Sequence, residues 1–367
     1  MKKFSKENKK KLIIFCPSIE EGGVEKNLFL IANHMSHKGV EVNIITANYD
    51  KKKKFTSRIN FYSPANFFWN KKPRIVKSLL CCYILLKNFY GEKINILSFQ
   101  SNIFAIILAK ILSCKVTIRS NTSPQLYLNF SFKKFLFKIL FKLADSIIVN
   151  SKDFKKKIDK EFNVKSIVIY NPVFYKNKIK NRTTPSIFPR RNSIKILNIA
   201  RLTKQKDHMT LLLGIKHYIE KYNNKINLVI IGKGKEEQNI KDFIIRNNLQ
   251  KNIKLLGYIN EADKFLDQCD IFILSSIAEG LPNVLLEALC KKKVIISSNC
   301  ETGPTEILQN GRNGYLFKVF QFRQLAKKIN FVSKNFTYSK QKALKGYGSL
   351  YRFDLDKIIN KYYKTIF

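Results

Sequence analysis

Short apolar runs alternate along this chain with longer amphipathic stretches, and the alternation stops only once. In the first half the runs at 12–17, 41–46, 94–99, 115–119, 146–150 and 166–170 read as strands. Stretches with helical spacing lie between them, among them 24–37 and 131–143. Gly39 fits the position after the first helix, where a left-handed residue ends the turn. Ser151 reads as an N-cap, with Phe154 opening the apolar face behind it. After Asn171-Pro172 the periodicity breaks. Residues 173–193 are basic, carry Pro185 and Pro189, and read as a linker. A second series follows, with strands at 194–200, 227–231, 253–256, 271–274 and 294–297, and helices that include 207–222 and 236–247. Strands in strict alternation with helices predict an α/β fold with parallel sheets. The expected organisation is a first domain over 1–172, the linker, a second domain over 194–350, and a terminal helix within 351–367. With 367 residues the chain is long enough for two separate cores.

The charge is extreme, at +42, and uneven. Residues 51–180 hold 27 Lys or Arg against 5 Asp or Glu. Runs such as Lys51 to Lys54, Lys133-Lys134 and Lys155 to Lys157 suit a partner with dense negative charge, an anionic membrane surface or a nucleic acid. The plain alternative is codon bias, since Lys, Asn, Ile and Phe are all abundant. An apolar content of 45% argues against disorder. No run reaches the roughly 20 apolar residues of a membrane span. The apolar stretch 12–16 is shorter than a secretion-signal core, so the protein is expected in the cytoplasm. Seven cysteines lie scattered without metal spacing and read as small buried hydrophobes.

The densest chemistry follows the apolar run at 270–274. Glu279 and Glu287 stand seven residues apart in Glu279-Gly280-Leu281-Pro282-Asn283, continuing to Glu287. Pro282 fits the first turn of a helix, whose free N–H groups then make an anion site above the sheet edge. Fully helical spacing would separate the carboxylates by roughly 12 Å. Carboxylates that cooperate on one glycosidic bond lie ~5 to 9.5 Å apart. This pair is better suited to gripping two ends of one extended ligand.

The segment resembles the Glu-x7-Glu signature of the retaining, nucleotide-sugar-dependent glycosyltransferases of family 4. Gly22-Gly23-Val24-Glu25-Lys26 is similar to that family's glycine loop. Asn198 to Asp207, with Arg201 and Lys206, is similar to its Gly-Arg-Leu-x-x-x-Lys-Asp segment. Ile231-Gly232-Lys233-Gly234, Leu256-Gly257-Tyr258 and Thr302-Gly303-Pro304, with Asn310-Gly311 and Gly314 behind, match further landmarks. Six such segments occur in family order across nearly the whole chain.

The resemblance implies the GT-B fold: two Rossmann-like parallel-sheet domains facing a cleft, the last helix crossing back to the first domain. It implies Arg201 and Lys206 as a clamp on the donor diphosphate, and Glu287 as the ribose ligand. Glu279 would hold a donor-sugar hydroxyl, helped by Gly280, Leu281 and Asn283. Taken bare, Glu279 could also be a loop carboxylate pairing a nearby lysine. Gly22 and Gly23 would let a backbone approach closely and adopt positive φ. Gly232, Gly234 and Tyr258 would shape the base slot. Fixed cations at a departing diphosphate act on the transition state. No Asp-x-Asp metal motif is read in the chain, so the two cations are expected to replace a metal, with no cofactor beyond the nucleotide sugar. Many members carry a histidine near the acceptor where this chain has Ser120-Asn121. Arg119 or Asn121 is left to position the acceptor hydroxyl, and the departing phosphate oxygen is left to take its proton.

The reading is a retaining hexosyltransferase that moves a sugar, UDP-linked and often an acetamido sugar in such enzymes, to a lipid-linked or oligosaccharide acceptor. The product would be surface polysaccharide such as O-antigen or lipopolysaccharide, and the enzyme would sit on the inner face of the cytoplasmic membrane. An epimerase or phosphorylase of the same fold is the nearer rival. A non-catalytic binder of a polyanion would explain the charge but not the paired motifs, so nucleic acid is not the expected partner.

Overall fold

The computed structural model of the protein describes residues 10–20, 22–121, 131–174, 185–188, 193–222 and 225–367, without the side chains of 131–134. Two compact units emerge: one runs to Pro172 and takes back Leu355–Phe367, and the other is Val173–Asp354.

The first unit has strands β1 (Lys11–Phe15), β2 (Glu41–Ile45), β3 (Asn60–Tyr62), β4 (Asn95–Ser98), β5 (Lys115–Ser120), β6 (Ser146–Val149) and β7 (Ile167–Val168). Its helices are α1 (Gly23–His37), α2 (Arg74–Phe89), α3 (Asn102–Ile111), α4 (Ser131–Lys142) and α5 (Lys152–Phe162). The sheet order is β3-β2-β1-β4-β5-β6-β7, and every pair is parallel. A strand such as β1 is apolar and buried from Leu12 to Phe15 because helices cover both its faces. Leu12 and Ile14 join the layer under α1, while Ile13 and Phe15 join the layer under α2, α3 and α5. Ser151 caps α5 by accepting from the Phe154 N–H at 3.2 Å.

The second unit has strands β8 (Ile194–Ile199), β9 (Ile226–Ile231), β10 (Ile253–Leu255), β11 (Ile271–Leu274), β12 (Val294–Ser298) and β13 (Tyr315–Phe317). Around them lie α6 (His208–Tyr222), α7 (Glu237–Arg246), α8 (Asn283–Cys290), α9 (Pro304–Ile307), α10 (Phe322–Lys334) and α11 (Phe336–Gly348). The order is β10-β9-β8-β11-β12-β13, again parallel throughout. In each sheet the winding reverses beside the first strand, between β1 and β4 and between β8 and β11. Ligands of such sheets bind outside the carboxyl ends of the strands at that reversal.

Helix α12 (Leu355–Ile366) ends the chain. Leu355, Ile358, Ile359, Tyr362 and Ile366 lie in the same buried layer as Leu28, Ile31 and Met35 of α1. Their spacing of three and four is that of one helical face.

Several details depart from the sequence expectations. Strands β3 and β13, three residues each, are too short to show a period. Part of the expected linker is packed: the Ile187 N–H donates to Gln268 Oε1 at 2.9 Å, Gln268 Nε2 donates to the Pro185 carbonyl at 3.0 Å, and Phe188 is buried. The return to the first unit starts at Leu355, not at residue 351, because Ser349–Phe353 forms a short 3-10 turn within the second unit. Pro282 stands one place before α8, in an extended conformation (φ −70°, ψ 113°), so the helix begins at Asn283.

Candidate functional site

Two loops at the reversal point of the second sheet are sewn together. The first leaves β8 and carries Arg201, then a short 3-10 turn at Lys204–Lys206. The second leaves β11 and runs from Ser275 to Pro282. The Ile277 N–H donates to the Gln205 carbonyl at 2.8 Å, and Gln205 Nε2 donates to the Ala278 carbonyl at 2.8 Å. Ser275 Oγ donates to the Lys206 carbonyl at 2.9 Å. From the next strand, Ser298 Oγ reaches the Ser276 carbonyl at 2.6 Å, and Thr302 Oγ1 donates to the Glu279 carbonyl. Loop backbone that leaves a sheet must find such partners or water.

This lacing fixes an ion pair. Lys206 Nζ lies 2.5 Å from Glu279 Oε1, and Ser276 Oγ donates to the same oxygen at 2.6 Å. The two side chains are 15% and 8% exposed, so the pair is largely shielded from water. An ammonium has three donors, and Glu279 engages one of them. Behind Lys206, His208 is buried, with Nε2 3.2 Å from Asn198 Oδ1. Burial first and the Lys206 charge second pull its pKa down to about 4, so the ring is neutral near pH 7.

Arg201 is exposed at the same end of β8. Glu287 is half-buried, the fifth residue of α8, and Asn283 opens that helix. Leu281 is buried in the loop before it. Gly232 and Gly234 follow β9 and lie against the Arg201 loop. A Cβ on Gly232 would strike the Ala200 carbonyl oxygen, and one on Gly234 the Leu202 carbonyl oxygen. The Gly232 N–H donates to the Gly257 carbonyl at 2.8 Å, which ties in the loop of Tyr258. Tyr258 is 43% exposed, and Lys233 Nζ sits 5.3 Å from its ring centroid. The carboxyl ends of β8, β9 and β11 thus carry Arg201, Lys206, Gly232, Gly234 and Glu279, with Tyr258 just past β10.

Four sequence expectations need correction. Arg119 is 1% exposed and faces the interior of the first unit. Its Nη2 donates to Asn171 Oδ1 at 2.6 Å, its guanidinium lies 5.2 Å from the Phe99 ring, and it neighbours the Tyr362 hydroxyl of α12. So enclosed, it cannot position an acceptor hydroxyl. Asn121, by contrast, is half-buried and donates through Nδ2 to the Phe99 carbonyl at 3.0 Å. Gly22 is extended (φ −170°), and Gly23 is the first residue of α1, so neither uses the left-handed region. The turn glycine beside Glu279 is Gly303, at φ 82°, where a Cβ would collide with the Gly280 carbonyl oxygen. Finally, the chain does hold one Asp-x-Asp, Asp354-Leu355-Asp356. It opens α12, and Asp356 pairs with His34 Nε2 at 2.8 Å. Sequence reasoning also passed over Gln205, Ser276 and Ser298, which hold the pair in place; the polar Ser275-Ser276 directly after an apolar strand was the available signal.

Comparison with known proteins adds two family descriptions. Residues 21–174 match "Glycosyltransferase Family 4", and residues 180–349 match "Glycosyl transferases group 1". An uncharacterized glycosyltransferase of Methanocaldococcus jannaschii is 36% identical over 181 residues, which are 47% of this chain and 44% of that one. A Campylobacter jejuni protein is 26% identical over 332 residues, 84% of this chain and 86% of its own. It is an N-acetylgalactosamine-N,N'-diacetylbacillosaminyl-diphospho-undecaprenol 4-alpha-N-acetylgalactosaminyltransferase. Among solved structures, Staphylococcus aureus TarM, determined with UDP among its ligands, superposes with TM-score 0.81 at 14% identity over 97% of this chain and 99% of that one. Anabaena HepE in complex with UDP gives TM-score 0.77 at 18% identity, covering 97% and 99%.

Proposed function

Since this chain belongs to the family 4 glycosyltransferases of GT-B fold, we propose that it is a retaining enzyme that moves a hexose or N-acetylhexosamine from a UDP-sugar to a lipid-linked glycan. The observation that carries the reading is the shielded Lys206–Glu279 pair at the reversal point of the second sheet, with Arg201 exposed beside it. Lys206 keeps two donors for phosphate oxygens, and Arg201 offers a planar fork for the same group. Glu279 then serves two ends: it holds the ammonium in place and presents its second oxygen to a sugar hydroxyl. Glu287, further along α8, takes the ribose hydroxyls. Gly232 and Gly234 let the loop after β9 pack against the Arg201 loop, which shapes the base slot beside Tyr258.

In the reaction the bond between the sugar C1 and the β-phosphate oxygen breaks. The acceptor hydroxyl oxygen bonds to C1 on the same face, and its proton passes to the departing phosphate oxygen. Charge grows on that diphosphate as the bond lengthens, which is where fixed cations lower the barrier. The relatives that act on diphospho-undecaprenol glycans support a lipid-carried acceptor, as does the basic first unit. They also support a place on the inner face of the cytoplasmic membrane and a role in surface polysaccharide synthesis.

A thermal-shift screen against UDP, other nucleotides and UDP-sugars tests the donor, since a ligand that binds only the folded protein raises its melting temperature. UDP and one UDP-sugar should stabilise the protein. If no nucleotide does so, while Glu287→Ala and Arg201→Ala leave transfer to a diphospholipid glycan unchanged, the assignment fails.

A further inference from the structure

Helices α2, α3 and α4 cover one face of the first sheet side by side, α2 against α3 and α3 against α4. A helix in that position should be apolar inward and polar outward. These three are apolar on both sides. Inward, Cys81, Leu85 and Phe89 of α2 are buried. Outward, Ile75, Leu79 and Tyr83 recur every four residues, and each is more than half exposed (67%, 56% and 60%). On α3 the outward pair is Ile107 and Ile111, and on α4 it is Phe135 and Ile139. Three neighbouring stripes make an apolar surface of a kind monomers rarely leave in water.

The charge carried by these three helices has one sign. The sequences of α2, α3 and α4 contain no Asp or Glu. Arg74, Lys87, Lys110, Lys138 and Lys142 are exposed among the apolar positions, Arg74 paired with Glu20 at 3.1 Å and Lys110 with Asp145 at 4.0 Å, so cations stay in excess. Aliphatic side chains outnumber rings in the stripes, which does not suit the stacking on which single-stranded nucleic acid depends. A second copy of the chain would bring another +42 to the contact. Apolar residues ringed by cations fit the boundary between acyl chains and acidic headgroups. Among the described residues no helix is long and apolar enough to cross a bilayer, so the fit is to its surface.

We propose that the outer face of α2, α3 and α4 seats on an anionic lipid bilayer, with Leu79 and Ile111 entering the headgroup layer. The proposal rests on the reading that the acceptor is carried by a membrane lipid, and the experiment keeps the two apart. The full-length protein is sedimented with phosphatidylcholine vesicles, with and without phosphatidylglycerol. It is compared with Leu79→Asp/Ile111→Asp and with Ile245→Asp/Leu344→Asp. The second variant makes the same charge change at two exposed apolar positions of the other unit.

The wild type should bind the acidic vesicles. Leu79→Asp/Ile111→Asp should lower the partition coefficient at least tenfold, and Ile245→Asp/Leu344→Asp less than threefold. Equal losses in both variants would reduce the effect to net charge and overturn the proposal, as would undiminished binding. So would a dimer, seen by light scattering, that only the first variant dissociates. Should that variant fold poorly, Ile75→Gln/Tyr83→Gln takes its place with the same expectation. Trp69, the chain's one tryptophan, lies just before α2, and its emission should shift to the blue with acidic vesicles only. UDP-induced thermal stabilisation is measured on every variant. It should persist where vesicle binding is lost, and its absence from the wild type would fault the donor site rather than the membrane face.

Discussion

A lysine and a glutamate read from sequence as two separate ligands turn out to be each other's neighbours. Lys206 and Glu279 lie 2.5 Å apart and mostly out of water. Removing one member of such a pair leaves the other charge poorly solvated. Lys206→Ala should therefore lower both turnover and unfolding free energy, the latter by on the order of 3 kcal/mol. Replacing both, as Lys206→Met with Glu279→Gln, should restore most of the stability and none of the activity. Exposed Arg201 gives the contrast: Arg201→Ala should cost about 3 to 4 kcal/mol in the transition state and leave the melting temperature within a degree or two. If the cations do the work of a metal, EDTA should leave the rate unaltered, and its loss on chelation would end that reading. His208 supplies a pH test. Its folded pKa, about 4, lies below the ordinary value of 6.5, so the unfolded chain binds the proton more tightly. Its stabilising contribution is complete above pH 6.5 and falls away as the pH drops toward 4, about 3 kcal/mol in all. The stability gap between wild type and His208→Gln should narrow over that interval in urea titrations, and a constant gap would contradict the neutral buried ring.

The elements that carry the site were the easiest to read and the hardest to join. Alternation revealed β8, β9 and β11 because each is a long apolar run, and the residues at their carboxyl ends were singled out for that reason. What sequence could not supply was the sewing between loops. Gln205 meets Ala278 and Ser276 meets Glu279 only after the sheet has formed. Arg119 misled for a related cause: an arginine at a strand end reads as exposed, and nothing local announces that α12 closes over it. Gly303 tests the lacing. It shares its left-handed φ with Gly39, 82° against 85°, but only Gly303 has a carbonyl oxygen where a Cβ would go. Gly303→Ala should cost at least about 2 kcal/mol and most of the activity, whereas Gly39→Ala should pay only the backbone strain, about 1 kcal/mol. Similar losses from both would show that the 275–282 loop is not held as described.

At the scale of the whole molecule, the two units were legible as two alternating series separated by a break. The boundary itself was read less well, because the chain near 185–188 packs on the second unit although its composition is that of a linker. The charge was legible as a quantity, but where it borders apolar surface was visible only once α2, α3 and α4 stood side by side. Helix α12 has the largest consequence. The first unit's inner layer contains Leu355, Ile358, Ile359, Tyr362 and Ile366, contributed by the last residues of the sequence. A protein stopped at Asp354 should accumulate in the insoluble fraction, and a soluble, cooperatively melting product would show that α12 is dispensable. During translation the amino-terminal sheet emerges first, yet the layer that α1 begins to cover on one face stays incomplete until residues 355–366 have been made. The ribosome thus delivers an incompletely covered sheet that must wait, through the making of the entire second unit, for α12. Termination anywhere before α12 leaves that layer open to chaperones and proteases, so the helix acts as a seal on the amino-terminal unit.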